Sequence, residues 1–312
     1  MKKLLCLTLF IISVFAFSTA QAADLYVSPN GTGNSCSSSN PCSFQTALDI
    51  AAANGQPDNI ILSAGTYNLS ETLTYKPNRA FEGALNIQGA GPDNTIIDGG
   101  NSVSLLQIDT TNITVDTASN ITLKGITFRN STTGYYDAVT ISTNNASVEV
   151  TNCKFIDNQG KGGLGIYSNK SGNITVDSST FENSNNGLVI NTRTGNLNLL
   201  NSTFIGDSSG AYIYDYSLGG KFIIKDNTFI DCSSSYDGGG LYLRIHDSLV
   251  LSGNYFINNV SKGKGGGALI YIYDMDSSST LDIINNYFEN NTSADLGAGL
   301  ALGPQWGGVF II

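Results

Sequence analysis

Three acids close successive copies of one short strand: Asp215, Asp247 and Asp274. Arg244 and the single histidine, His246, stand beside them. These residue types suit chemistry on a polysaccharide. A glycoside hydrolase needs two carboxylates on one face, one to protonate the leaving oxygen and one to activate water. A lyase needs Asp or Glu around Ca²⁺ and a Lys or Arg as base. The Gly-His-Gly and Asn-Thr-Asp signatures of such hydrolases are absent from the sequence. The expectation is an acidic fringe on the loops, with Asp215, Asp247, Asp274, Arg244 and His246 as the catalytic candidates of the alternative. Tyrosines cluster in the same region: Tyr167, Tyr212, Tyr214, Tyr242, Tyr271 and Tyr273. Sugar rings stack their C–H faces on aromatic rings, and Tyr adds a hydroxyl. With Arg244 they are the binding candidates. A cross-strand aromatic stack worth up to ~1 kcal/mol per pair would explain them without any ligand.

The elements that hold these residues are read from composition and repeats. Of the 312 residues 35 are Gly, 41% are hydrophobic and only 13% are charged. That apolar content argues against disorder. Lys2 and Lys3, the apolar stretch from Leu4 to Phe17 and the small residues to Ala22 read as a signal peptide over residues 1–22. Losing its two lysines takes the net charge from −10 to −12. An acidic surface disfavours nucleic acid and anionic lipid. No later apolar run reaches the ~18 residues of a spanning helix, so an integral membrane protein is not expected. Export implies an oxidising compartment, and Cys36 and Cys42, enclosing Ser-Ser-Ser-Asn-Pro, are expected to form a local disulfide. The cysteine spacing matches no common zinc site, and neither metal nor cofactor is expected.

One Phe recurs at positions 128, 155, 181, 204, 229, 256 and 288, at intervals of 27, 26, 23, 25, 27 and 32 residues. An alternating apolar pair precedes each, such as Val148/Val150 and Leu249/Leu251, the signature of a half-buried strand. Turn-formers follow, and then a second short strand, usually opened by Gly, as in Gly187-Leu-Val-Ile190. No unit can bury its own apolar face, but stacked units can. A propeller blade would need about 40 residues. The reading is all-β, a right-handed single-stranded parallel β-helix. Ser43 would cap a short helix, Phe44 to Ala53, whose apolar face covers the first coil. Residues 23–120 form the cap and first rungs and residues 121–312 the repeated rungs of a single solenoid. After Leu302 no polar cap is legible, and a fragment of a longer protein is expected.

Two columns carry polar residues. Two places before the Phe, Asn227, Asn254 and Asn286 predict an inward amide ladder, with Cys153 as a small buried member. Three places after the Phe, residues such as Asn158, Asp207, Cys232 and Asn259 predict a turn column of left-handed backbone. Cys153 and Cys232 would lie three rungs apart, ~14 Å at ~4.8 Å per rung, and stay unpaired. In the strand before the Phe the outward acids Glu149 and Asp282 are five rungs apart and cannot cooperate. In the second strand the outward pairs are Gly165/Tyr167, Val189/Asn191, Tyr212/Tyr214, Tyr242/Arg244 and Leu269/Tyr271.

Phe155-Ile-Asp-Asn158, Phe256-Ile-Asn-Asn259 and Phe288-Glu-Asn-Asn291, with Gly266-Gly-Ala-Leu269, resemble the F-x-x-N and G-G-A-[ILV] motifs of polymorphic outer-membrane proteins. Asn40-Pro-Cys-Ser-Phe-Gln-Thr-Ala-Leu48 and Ala64-Gly-Thr-Tyr67 resemble the opening of exported β-helix proteins of the pectate-lyase-like superfamily. The resemblance implies a secreted or surface-exposed autotransporter passenger, often an adhesin. The expected function is a non-catalytic surface or secreted protein binding a surface glycan or a protein of a host or neighbouring cell. A polysaccharide-active lyase or hydrolase is the alternative, and a structural spacer the third.

Overall fold

The computed structural model describes residues 22–311 except 79–82, 114–119, 133, 135, 194, 218, 274–277 and 305–309. The expected signal segment, up to its last residue, and Asp274 lie outside the described residues. Each rung contributes one strand to each of three long sheets. The leading sheet has ten strands, from Ala23–Val27 to Leu281–Ile284. The Phe sheet has nine, from Gly65–Asn68 to Tyr287–Glu289. The Tyr sheet begins at Leu73–Tyr75 and runs to Leu300–Pro304, beside which Phe310–Ile311 pairs antiparallel. All other pairings within these three sheets are parallel and join one rung to the next, and the coil is a right-handed β-helix.

The alternating pairs stack in register, Leu123 on Val150 on Val176 on Leu199, all buried. The Phe column stacks ring on ring, with centroids 4.6–5.4 Å apart and planes within 12° from Phe128 to Phe288. Tyr67 and Ile97 continue that column, Tyr67 from the strand Gly65–Asn68. Ser43 caps the helix Phe44–Asn54, and Gly55 ends it at φ 72°. Its buried face (Phe44, Ala47, Leu48, Ala51) packs against the first strands. Cys36 and Cys42 are joined by a disulfide, while Cys153 and Cys232 are free and buried.

The polar columns correct one expectation. Left-handed backbone falls two places after the Phe, at Asn130, Asp157, Asn183, Gly206, Asp231, Asn258 and Asn290, with φ between 52 and 65°. A matching left-handed residue sits three places before it, from Gly125 to Asn285. The column three places after the Phe, expected to be left-handed, points inward instead. Each kink sends the next N–H along the axis, and a side chain of the following rung must accept it. Thus Ser131 N donates to Asn158 Oδ1 at 3.1 Å and Cys232 N to Asn259 Oδ1 at 3.0 Å. The amides donate back to Phe carbonyls, Asn158 to Phe128 and Asn259 to Phe229. The expected inner ladder has the same form: Asn227 Nδ2 reaches Asn254 Oδ1 at 3.0 Å and Asn254 Nδ2 reaches Asn286 Oδ1 at 2.9 Å. Two polar ladders therefore flank the Phe stack.

Candidate binding face

The register fixes what the Tyr sheet shows to solvent. Val189, Tyr212, Tyr242 and Leu269 occupy one outward column, and Tyr167, Asn191, Tyr214, Arg244 and Tyr271 the next. The rings do not lie flat on this face. Tyr212 and Tyr242 stack at 4.5 Å with planes 7° apart, so each hides one face against the other. Tyr214 meets Tyr216 at 4.4 Å, and Tyr271 abuts Tyr242 edge-on at 6.0 Å. Burial pushes the Tyr212 and Tyr242 phenols above their ordinary range, and both stay neutral at physiological pH. Val189 and Leu269, although in an outward column, are 4% and 0% exposed.

The ring face of Tyr212 away from Tyr242 looks down on the smaller Val189 one rung below. There an open hollow of about 310 Å³ is bounded by Lys161, Asn186, Val189, Asn191, Tyr212 and Asp237. Asn191 also borders a second hollow of about 260 Å³, with Tyr167, Arg193 and Tyr216. The two hollows are distinct and share only Asn191 on their linings; together they make up the trough of this face. A larger hollow of about 490 Å³ lies beside the cap helix, lined by Phe44, Gln45 and Glu71 among others, and carries no cation.

Lys161 and Arg193 line the trough, and Arg244 lies outside both linings. Lys161 Nζ donates to Tyr167 Oη at 2.6 Å, and Tyr167 Oη donates to Asp137 Oδ2 at 2.6 Å. Asp137 is 1% exposed, its Oδ1 has no hydrogen-bond partner, and burial raises its carboxyl above the usual range. Gly165 makes room for it, since a Cβ there would stand 2.0 Å from Oδ2. Arg193 lies 5.9 Å from the Tyr216 ring centre. Arg244 is held between Tyr214 at 4.3 Å and Tyr273 at 3.8 Å. Such contacts contribute ~0.5–2 kcal/mol each, more as the cation is desolvated. Sequence reasoning named Tyr167 and Arg244 but missed Asp137, Lys161, Arg193 and Tyr216, which come from corners on different rungs.

The acids behave differently from the fringe expected of them. Asp215 is the fifth residue of Ala211–Asp215, and alternation turns it inward, 2% exposed. Its oxygens accept the N–H groups of Ser217 and His246, each at 3.3 Å. Burial pushes its carboxyl up to about 6. His246 Nδ1 stands 3.6 Å from Asp215 Oδ2, and its ring lies 4.9 Å from Tyr273. Asp247 accepts from Gly219 N, Ser248 N and Ser279 Oγ. Both carboxylates are thus engaged in closing corners, which explains acids at strand ends without catalysis. Among the described residues no group of three His, Cys, Asp or Glu is placed to hold a metal ion. Among them, too, no helix is long and apolar enough to cross a membrane.

Residues 164–310 match the family described as "Right handed beta helix region". The chain is a right-handed parallel β-helix. Solved structures similar to it include pectate lyase Pel9A, 16% identical over 89% of this chain and 80% of that one, with a TM-score of 0.43. A mannuronic acid specific polysaccharide family 6 lyase from human gut microbiota is 13% identical over 89% and 79%, at TM-score 0.34. ORF18 of Geobacillus virus E2 is 13% identical over 81% and 58%, at TM-score 0.21. No curated protein matches the sequence.

Proposed function

We propose that this β-helix is an exported, non-catalytic binding protein of the cell surface or its surroundings, and that its ligand is a glycan seated in the trough of the Tyr sheet. The observation that carries the reading is the hollow between Lys161 and the free face of Tyr212. Its volume, about 310 Å³, suits a saccharide ring, stacked on Tyr212 and bonded through its hydroxyls to Asn191 and Asp237. The adhesin-like role and export rest on the residue pattern of the leader and of the F-x-x-N repeats. The test is a glycan array probed with the intact protein and with the Tyr212→Ala/Tyr214→Ala/Tyr242→Ala variant, each checked by circular dichroism. Retained glycan binding by a folded triple variant would move the site elsewhere.

A polysaccharide-active enzyme is the second reading, and one observation favours it. Lys161, Tyr167 and Asp137 form a chain of two 2.6 Å hydrogen bonds at the trough, a geometry able to hold and pass a proton. Incubation with acidic and neutral polysaccharides, followed by measurement of new reducing ends, separates the two. Turnover that Tyr167→Phe removes would replace the first reading with the second.

A further inference from the structure

We infer that the hollow beneath Tyr212 is a cleft cut crosswise into the solenoid, and that it reads the acetamido group of an N-acetylated amino sugar through the amide of Asn191. The inference rests on the glycan reading and adds the ligand's chemistry to it. Corner length makes the cleft. Between the Phe sheet and the Tyr sheet, residues 183–187 and 206–210 turn in five residues each. The corner below, residues 157–163, takes seven, and the corner above, residues 231–240, takes ten. Two short rungs between longer ones leave a gap of ~10 Å, at ~4.8 Å per rung. Lys161 stands on the lower bank, Tyr236 and Asp237 on the upper, and Asn186 and Ser209 on the short corners between. Such a gap admits one extended chain and is narrow for a helix, about 10–12 Å across.

The upper bank is braced. Ser233–Ser234, Val260–Ser261 and Thr292–Ser293 pair into a short sheet of their own. Gly263 N donates to the Tyr236 carbonyl at 2.9 Å, and Lys264 N to Asp237 Oδ1 at 2.8 Å. From this fixed backbone Tyr236 projects at the lip of the cleft, 83% exposed. It offers a stacking surface whose backbone is ordered before a ligand arrives. The floor carries the specificity. Val189 and Asn191 stand where the next rung has the larger Tyr212 and Tyr214. The asparagines around them are engaged in the coil: Asn185 and Asn186 donate to carbonyls of the rung below, Asn198 to Thr175 Oγ1 and Asn201 to Asp177 Oδ1. Asn191 differs, since among the described residues no hydrogen bond engages its side chain. Its Oδ1 is free to accept an acetamido N–H and its Nδ2 to donate to the ring hydroxyl beside it. Val189, two residues earlier on the same face, takes the acetamido methyl. A plain sugar puts a hydroxyl there, which makes no apolar contact and can turn to another acceptor, as an amide N–H cannot. Each charge on the banks already has a protein partner, Lys161 in Tyr167 Oη and Asp237 in Lys264 N, so neither calls for a charged ligand. A saccharide is favoured over a peptide, which also carries amides, because Tyr212 and Tyr236 offer ring surfaces to flat C–H faces.

The probes are chitotetraose and cellotetraose, which share their linkage and differ only in the acetamido group at C2, and an acetylated, amidated alanine tetrapeptide, all titrated by calorimetry into the intact protein. Chitotetraose should bind ~10-fold or more tighter than cellotetraose, and the peptide should not bind. Asn191→Val, a strand-forming replacement on the outward face, should weaken chitotetraose by ~10-fold and cellotetraose by no more than about threefold, as expected for an amide N–H left without its acceptor. Asn191→Asp, which keeps the shape and the acceptor, should retain the preference and carries the test if Asn191→Val melts early. Tyr236→Ala should weaken both tetramers alike, by ~5-fold, and unchanged binding there overturns the upper bank as a wall of the site. Equal affinity for the two tetramers, or equal losses in Asn191→Val, overturns the acetamido reading and leaves the glycan reading intact. Failure of both tetramers to bind overturns the inference, and silence across the glycan array as well overturns the glycan reading. Binding of the peptide in preference to both tetramers overturns the two together.

Discussion

Asp207 is an acid in a ladder built for amides, and replacing it with Asn should stabilise the protein. Its Oδ1 accepts Ser184 N at 2.8 Å, as the ladder requires, but its Oδ2 has no partner. At equivalent places Asn158, Asn259 and Asn291 donate Nδ2 to the Phe carbonyl one rung below, at 2.8–3.1 Å. Asn at 207 would reach the Phe181 carbonyl in the same way. Against the ionised acid the gain is one buried hydrogen bond, ~1 kcal/mol, plus relief of a buried unsatisfied oxygen, ~1–3 kcal/mol, so ~2–4 kcal/mol; where the folded chain takes up a proton instead, the gain is the cost of that uptake. Burial pushes the Asp207 carboxyl well above its ordinary 3.8, with Glu182 adding to the effect. The folded chain therefore keeps a proton that the unfolded chain has released. Native stability is greatest below the unfolded value and falls as pH rises towards the folded value, by up to ~1.4 kcal/mol per unit. Asp207→Asn lacks that slope, so its advantage should be largest at pH 7 and shrink towards pH 3.5, where the protonated acid donates as the amide does. Urea unfolding of both proteins across pH 3.5 to 8 measures this. A variant no more stable at pH 7, or a difference independent of pH, would refute the ladder argument.

Phe204→Ala should destabilise by ~3–5 kcal/mol, because Phe204 is stacked on both sides, at 4.7 and 4.6 Å. Phe288→Ala, half-buried in the last rung with one described ring neighbour, should lose clearly less by the same denaturation. In a chain lacking residues 1–22, native protein should react with Ellman's reagent at pH 8 at neither Cys153 nor Cys232. Burial takes both out of reach and pushes the Cys153 thiol up to about 12. Two thiols should appear on unfolding, and four after reduction. Rapid reaction of the native protein would contradict the packing of these rungs.

Much of the fold was legible because the Phe column repeats in sequence as it stacks in space, and each flanking pair alternates with strand parity. The corners were harder. Asn serves both as the left-handed residue and as the inward ladder residue one place later, so composition could not tell Asn258 from Asn259. Gly206, Asp157 and Asp231, one place before the ladder, were the available signal. At the site, register placed the tyrosines correctly, while parity should have turned Asp215 inward once Tyr212 and Tyr214 were set outward. Ring orientation was not readable: stacking turns the faces of Tyr212 and Tyr242 on each other, leaving one free face over Val189. Lys161, Asp137 and Arg193 reach the trough from corners on separate rungs, and no short motif joins them.

The most direct test of the binding account is titration of an oligosaccharide that binds the intact protein into Tyr212→Ala and Tyr242→Ala, each confirmed folded. The free ring face belongs to Tyr212, so its loss should cost ~1–2 kcal/mol of affinity, about a 5- to 30-fold weakening. Tyr242→Ala, which removes the ring behind it, should bind within about threefold of the native protein. Equal loss in both variants, or unchanged binding in Tyr212→Ala, would contradict a ligand seated against that face.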